Sequence, residues 1–140
     1  MLDAKEIHSL LARVLYNRRT KMNPLWNQLV VGGFTCEKQC FLGLVDLYGS
    51  SYEENMLATG YGGHLALPIM RNKWKADMNE ADAKALLEEC MRVCFYRDCR
   101  TINKYQLSKI TVDGATISAP YSLDTQWSFK RFIAPHDPAV

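Results

Sequence analysis

The sequence predicts a single α+β domain, and three observations carry that prediction. Apolar residues recur at helical spacing after Asp3 and again after Asn79. Short β-branched or aromatic runs bounded by glycine lie between and beyond those stretches. Asp113-Gly114, between two such runs, is a strong short-range hairpin signal. The resulting order is helix, three strands, two helices, two strands and a tail, with no internal repeat, low-complexity segment or linker.

The first helix is set by Asp3 and Glu6, which can form a capping box. Ile7, Leu10, Leu11, Val14 and Leu15 then give it an apolar face. It should end near Lys21, because Pro24 disfavours helical geometry in the residue before it. Arg18, Arg19 and Lys21 place positive charge at that end, where the helix dipole favours it. Leu29 to Phe34 reads as a strand buried on both faces, Gln39 to Tyr48 as a second strand, and Tyr52 to Leu57 as a third.

Gly60-Tyr61-Gly62-Gly63 forms a bend before a helix carrying Leu65, Ile69, Met70 and Trp74, with Pro68 near its first turns. The bend lacks the Lys-Ser/Thr of a phosphate loop, so it is read as a turn. Asn79 caps the next helix, with Glu80 and Asp82 in its first turn and Leu86, Leu87, Cys90, Met91, Val93 and Cys94 as a wide apolar face. Strands over Tyr105–Val112 and Ala115–Ser118 flank Asp113-Gly114. From Pro120 the chain turns irregular yet keeps Trp127, Phe129, Phe132 and Ile133, aromatic and aliphatic groups that need something to pack on.

Composition narrows the function classes. The 140 residues are 48% hydrophobic, enough for one core, and 17 basic against 15 acidic residues give a net charge of +2. No basic stripe favours nucleic acid or a membrane surface, and no apolar run approaches the ~20 residues of a membrane helix. The charged opening Met1 to Glu6 does not read as a signal peptide. Five cysteines, Cys36, Cys40, Cys90, Cys94 and Cys99, sit in apolar stretches and read as buried free thiols of a reducing compartment. Their spacing is not that of a zinc site, so no metal is expected. His8, His64 and His136 are scattered and define no nucleophile pair. Asp98, at a helix end where an acid opposes the dipole, either pairs with Arg92 or Arg97 or is a charge held in a site.

Four stretches carry a family resemblance: Ser9-Leu10 with Arg18 through Asn27, Gly43 to Gly49, Leu57 to Gly62, and Cys90 to Val93 with Tyr96 to Asp98. The Met22-Asn23-Pro24-Leu25-Trp26 run is the most specific, having no generic structural reason to recur. In these residues the chain resembles the beta subunits of the proteasome core particle, over most of its length but matching only the second half of such a subunit. The resemblance implies part of the N-terminal-nucleophile hydrolase fold, an αββα sandwich of two antiparallel sheets between helical layers. The first strands and the helix beside them would lie outside these residues.

In catalytic relatives those strands bear an N-terminal threonine and a lysine that tunes it. This chain starts Met1-Leu2, so the resemblance implies no catalytic residue, no cofactor and no enzymatic activity of its own. Asp98 matches the aspartate that supports the family's active site. Thr101 and the neighbourhood of Gly62 fall where catalytic subunits have serines, so these positions are expected to be vestigial. The implied role is architectural, in stacked seven-membered rings with other alpha and beta subunits, in cytoplasm and nucleus, with neither nucleic acid nor membrane as partner. Residues 1–123 would be the partial domain and 124–140 an extension reaching neighbours through Trp127, Phe129, Phe132 and Ile133. Two rival readings are an active threonine-protease subunit and a free-standing half-subunit that modulates assembly.

A half sandwich has a physical consequence. Leu29, Val31, Phe41 and Leu44 are expected on an inner face without a partner sheet, each forgoing roughly 1.5–3 kcal/mol of burial. Several such losses rival a total stability of about 5–15 kcal/mol. The isolated chain is therefore expected to be unstable or to aggregate.

Overall fold

The computed structural model describes residues 2–128. Its elements run α1 (Ala4–Thr20), β1 (Leu29–Phe34), β2 (Cys40–Val45), β3 (Ser51–Glu53), α2 (Gly62–Leu65), α3 (Leu67–Lys73), α4 (Glu80–Arg97), β4 (Ser108–Thr111) and β5 (Gly114–Ile117). The α+β class and the N-terminal-nucleophile-hydrolase-like order of elements hold. One sheet is antiparallel, in the order β1-β2-β3, and β4-β5 is a separate hairpin.

Helix α1 begins as its sequence dictates. Glu6 N–H donates to Asp3 Oδ1 at 2.8 Å and Asp3 N–H to Glu6 Oε2 at 2.9 Å. Its docked face, however, is not the stripe of Ile7, Leu10 and Val14, which stays exposed. Of the expected face only Leu15 is fully buried, and Ala4 and His8 are buried beside it. The reason lies on the sheet: a Cβ on Gly33 would stand 2.7 Å from Ala4 Cβ, and one on Gly43 2.8 Å from the His8 ring. Two glycines let the small-residue side of α1 approach the strands, which the bulkier stripe could not do.

The β1–β2 register pairs Leu29 with Val45, Val31 with Gly43 and Gly33 with Phe41. Opposed residues share a face, so these six lie under α1, while Val30, Gly32, Leu42 and Leu44 lie on the other face. Leu29, Val31 and Phe41 therefore lie under α1 and not on the unpartnered inner face that the sequence suggested; Leu44 alone of that set is on the other face, and it too is buried. Nor is β1 buried on both faces: Val30 is exposed and the rest of the strand is half-buried.

Three helical segments, not two, follow the sheet. The segment around Leu65 to Trp74 breaks at Ala66, because Pro68 has no N–H and can sit only in the first turn of a helix that starts afresh at Leu67. Strand β2 stops at Val45 rather than Tyr48, since the Asp46 carboxylate accepts Tyr48 N–H and Ser50 N–H, both at 2.9 Å, and turns the chain. β3 is short because after Glu54 the chain leaves the sheet and sends Met56 and Leu57 toward α3 and α4. In the hairpin Thr111 pairs with Gly114, so the loop is Val112-Asp113, one residue earlier than the Asp-Gly signal suggests. Gly114 follows it with φ +148°.

The core has two parts. Leu15, Phe41 and Val45 are buried where α1 meets the sheet, and Leu44 is buried on the sheet's other face. Ala66, Met70, Leu86, Cys90 and Cys94 form a second cluster among α2, α3 and α4. Among the described residues α4 packs on α2 and α3 but on no strand, and the hairpin meets the sheet through β4 against β1. Between the two parts runs an open apolar trough of about 360 Å³, walled by Leu42, Met56 and Leu57 on one side and Met70, Trp74 and Leu86 on the other.

Candidate functional site

A second cleft of about 360 Å³ shares Leu57, Met70 and Leu87 with that trough and ends at the C-terminus of α4. It brings Gly62 beside Asp98 and Thr101, which lie more than thirty residues further along the chain. Asp98 is the C-terminal cap of α4, with φ −102° and ψ 108° taking the chain out of the helix. Its Oδ1 accepts Arg100 N–H at 3.0 Å and its Oδ2 accepts the Thr101 hydroxyl at 2.9 Å. These bonds, the Arg100 N–H foremost and the Thr101 hydroxyl next, hold the Asp98 carboxyl below its ordinary value. They also offset its unfavourable place at the negative end of the helix dipole. Neither Arg92 nor Arg97 pairs with Asp98; Arg92 Nε donates instead to the Asp124 carbonyl at 3.0 Å.

The chemistry available in this cleft is slight. A carboxylate held below its ordinary range is a poor general base near neutrality. Cys90 and Cys94, which line the same cleft, have thiols pushed up chiefly by burial, so they remain protonated. Cys90 Sγ donates to the Ala66 carbonyl at 3.6 Å, as a buried structural thiol does; Cys36, Cys40 and Cys99, also expected to be buried, are exposed, since they lie in turns and at a strand end. No lysine, arginine, histidine or serine lines the cleft among the described residues. No group of His, Cys, Asp and Glu among those residues is arranged to hold a metal ion, and no described helix is long and apolar enough to cross a membrane.

The chain from Tyr121 to Trp127 is strapped along α4. Asn103 grips Leu123 from both sides, Nδ2 donating to its carbonyl at 2.7 Å and Oδ1 accepting its N–H at 2.9 Å. Tyr121 Oη donates to Glu88 at 3.0 Å, and Gln126 N–H donates to Tyr96 Oη at 2.8 Å. Trp127 stands edge-on to Phe95 and Tyr96, with ring centroids 5.7 Å and 5.0 Å away, yet remains 60% exposed. Phe129, Phe132 and Ile133 lie outside the described residues.

Sequence reasoning missed the clamps. Asn103 sits in an irregular stretch where nothing announces a partner twenty residues on. His8, which the sequence shows only as one of three scattered histidines, is buried, and its Nε2 contacts the Leu44 carbonyl at 3.0 Å. A carbonyl only accepts, so the proton is on Nε2. The spacing of Ala4 and His8, with small glycines on the strands, was the signal that could have found that contact.

A three-stranded sheet under one helix, with an α-helical unit and a hairpin on its other side, is the arrangement that the family resemblance implied. The chain belongs to the proteasome subunit family, whose model, described as "Proteasome subunit", matches residues 4–110. Within the family it is similar to proteins named proteasome subunit beta type-4. It is 54% identical over 134 residues to the one from Arabidopsis thaliana, covering 96% of this chain and 54% of the relative. It is 43% identical over 132 residues to that of Xenopus laevis (93% and 54% covered) and 48% over 126 residues to that of Dictyostelium discoideum (89% and 48%). The chain thus spans about half the length of the curated relatives it matches.

Proposed function

We propose that this chain is a non-catalytic, architectural beta subunit of the 20S proteasome core, contributing to ring assembly and so to intracellular protein degradation. The observation that carries the reading is the 54% identity to a beta type-4 subunit across 96% of the chain. The Asp98 cleft supports it. Both carboxylate oxygens are taken by neighbours, both cleft thiols are held protonated by burial, and among the described residues no cation lines the wall to tune a nucleophile. Asp98, Thr101 and Gly62 then shape a helix end and a turn rather than a reaction centre.

The working partners are other alpha and beta subunits in stacked seven-membered rings, in cytoplasm and nucleus. Residues 1–123 form the partial domain and 124–140 its extension, whose first residues, up to Trp127, lie back along α4. From there Trp127, Phe129, Phe132 and Ile133 are the contacts offered to a neighbouring subunit.

The test is native-gel mass spectrometry of particles from cells expressing the epitope-tagged chain. Co-migration with half-particles and complete core particles is expected. Recovery only as free, aggregated or degraded chain would refute the architectural role. Removing residues 124–140 should lower incorporation, and unchanged incorporation would refute the role of the extension. Peptidase activity of the purified chain that a threonine-directed inhibitor abolishes would favour the catalytic rival.

A further inference from the structure

The loop joining α1 to β1 exposes apolar side chains while restraining its backbone. Met22 is 91% and Trp26 81% exposed, the two highest values among the large hydrophobics of the described residues. The backbone that carries them is bracketed at both ends. Asn23 N–H donates to the Arg18 carbonyl at 3.1 Å, and Arg18 Nε donates back to the Asn23 carbonyl at 3.0 Å. Asn27 N–H closes a tight turn on the Leu25 carbonyl at 2.8 Å, and Gln28 Oε1 accepts Gly60 N–H at 3.3 Å. Met22 itself sits at φ +54°, a left-handed conformation that a long unbranched side chain adopts only at a cost. It follows the C-cap Lys21 and closes α1 in a Schellman-type end, with Met22 N–H on the Arg19 carbonyl at 3.1 Å, so the helix end itself fixes the start of the loop.

Charge gives the surface a sign. Positions 7–36 hold four cations, Arg13, Arg18, Arg19 and Lys21, and no carboxylate. None of the four forms an ion pair with a described residue. Arg19 and Lys21 are exposed beside Met22. An exposed Trp with Met and Arg alongside is the composition of a binding hot spot, and because the backbone that carries them is already held, little loop entropy is left to lose on docking.

We propose that residues 19–26 form a docking knob for a neighbouring protein subunit whose receiving surface is an apolar pocket rimmed by carboxylates. Trp26 and Met22 fill the pocket, while Arg19 and Lys21 meet its rim. The identification of the partner as another proteasome subunit rests on the function proposed above. The described start of the extension, up to Trp127, lies along α4 and not at this loop.

The experiment places the photo-crosslinking residue p-benzoylphenylalanine at position 26 of the full chain. The chain is irradiated both in cells and after mixing with purified, dissociated 20S subunits, and crosslinked peptides are sequenced. A crosslink to another subunit, at an apolar segment flanked by Asp or Glu, is expected. Trp26→Ala should weaken binding by about tenfold or more. Arg19→Glu with Lys21→Glu should weaken it several-fold, chiefly in the association rate, an effect that high salt erases. Amide exchange of β1 should be unchanged in Trp26→Ala, since the side chain covers none of the core.

Position 26 crosslinking only to its own chain, or faster β1 exchange in Trp26→Ala, would overturn the proposal by making Trp26 part of a fold contact. Loss of binding on charge reversal with none on Trp26→Ala would overturn it in favour of a simple polyanion site. Incorporation into particles without an inter-subunit crosslink at position 26 would refute the knob and leave the architectural role standing. The crosslink in the purified mixture without incorporation in cells would do the reverse.

Discussion

Gly43 and His8 show how one residue governs another at a helix–sheet contact. The His8 ring lies over Gly43, edge-on to Phe41 with centroids 5.3 Å apart, and its Nε2–H reaches the Leu44 carbonyl. A methyl group at Gly43 has no room unless α1 lifts from the strands. Gly43→Ala should therefore destabilise this contact by about 1–3 kcal/mol, seen as faster amide exchange in β1 and β2. Unchanged exchange would mean that α1 can shift freely. Asp98 makes a pH-dependent counterpart. Its folded pKa lies below the ordinary value of 3.8, so its contribution to the α4 terminus is present above that value and lost as pH falls through the folded pKa. The carboxyl carbon of Asp98 should titrate by NMR below pH 3.8, with exchange at Arg100 N–H rising over the same acid range, and Asp98→Asn should abolish the pH dependence. A titration at or above the ordinary value would contradict the hydrogen bonds. Asp98, Thr101 and Gly62 were legible as a set only through the family resemblance. Their actual bonds were not, because a cap that turns on its own following residues looks in sequence like any acid near arginines.

The two long helices, by contrast, could be read from their first residues. Asp3 with Glu6 and Asn79 with Asp82 supply the caps, and Asp82 N–H donates to Asn79 Oδ1 at 2.8 Å. Local hydrogen bonds decide such ends, so a short window of sequence contains the information. The end of β3 and the path of the chain after it were harder, since packing on α3 and α4 decides them, whereas the break at Ala66 follows from Pro68 two residues on. The strap from Tyr121 to Trp127 belongs with them: it has no regular structure and is held element to element by side chains of α4 and by Asn103. Asn103→Ala would leave the N–H and carbonyl of the buried Leu123 without partners, at a cost of about 1–3 kcal/mol. Limited proteolysis should then cut between residues 121 and 127 while α4 stays intact. Resistance equal to that of the unmodified chain would show that the aromatic contacts of Trp127 hold the strap unaided.

At the scale of the whole molecule the two cores matter more than any single contact. One core lies between α1 and the sheet, the other among α2, α3 and α4, and no strand packs on α4 among the described residues. Leu42 and Leu57 face Met70, Trp74 and Leu86 across an open trough rather than through interlocked side chains. The hairpin adds little cover, with Ile110 43% and Ile117 67% exposed. A two-stranded hairpin is marginal without a surface to pack on. Cooperativity requires that the loss of one core expose the other, and here the shared surface is small. The 140-residue polypeptide studied alone at low micromolar concentration should therefore bind a hydrophobic dye in native buffer and lack a single sharp calorimetric transition. Hydrogen exchange should divide it into an α1–β1–β2 unit and an α2–α3–α4 unit of unequal protection. The mild net charge of +2 gives little electrostatic defence against association through the trough. A monomer with one cooperative transition, equal protection in both units and no dye binding would show that the trough closes in solution, and that the chain is self-sufficient in a way its two-core arrangement does not provide.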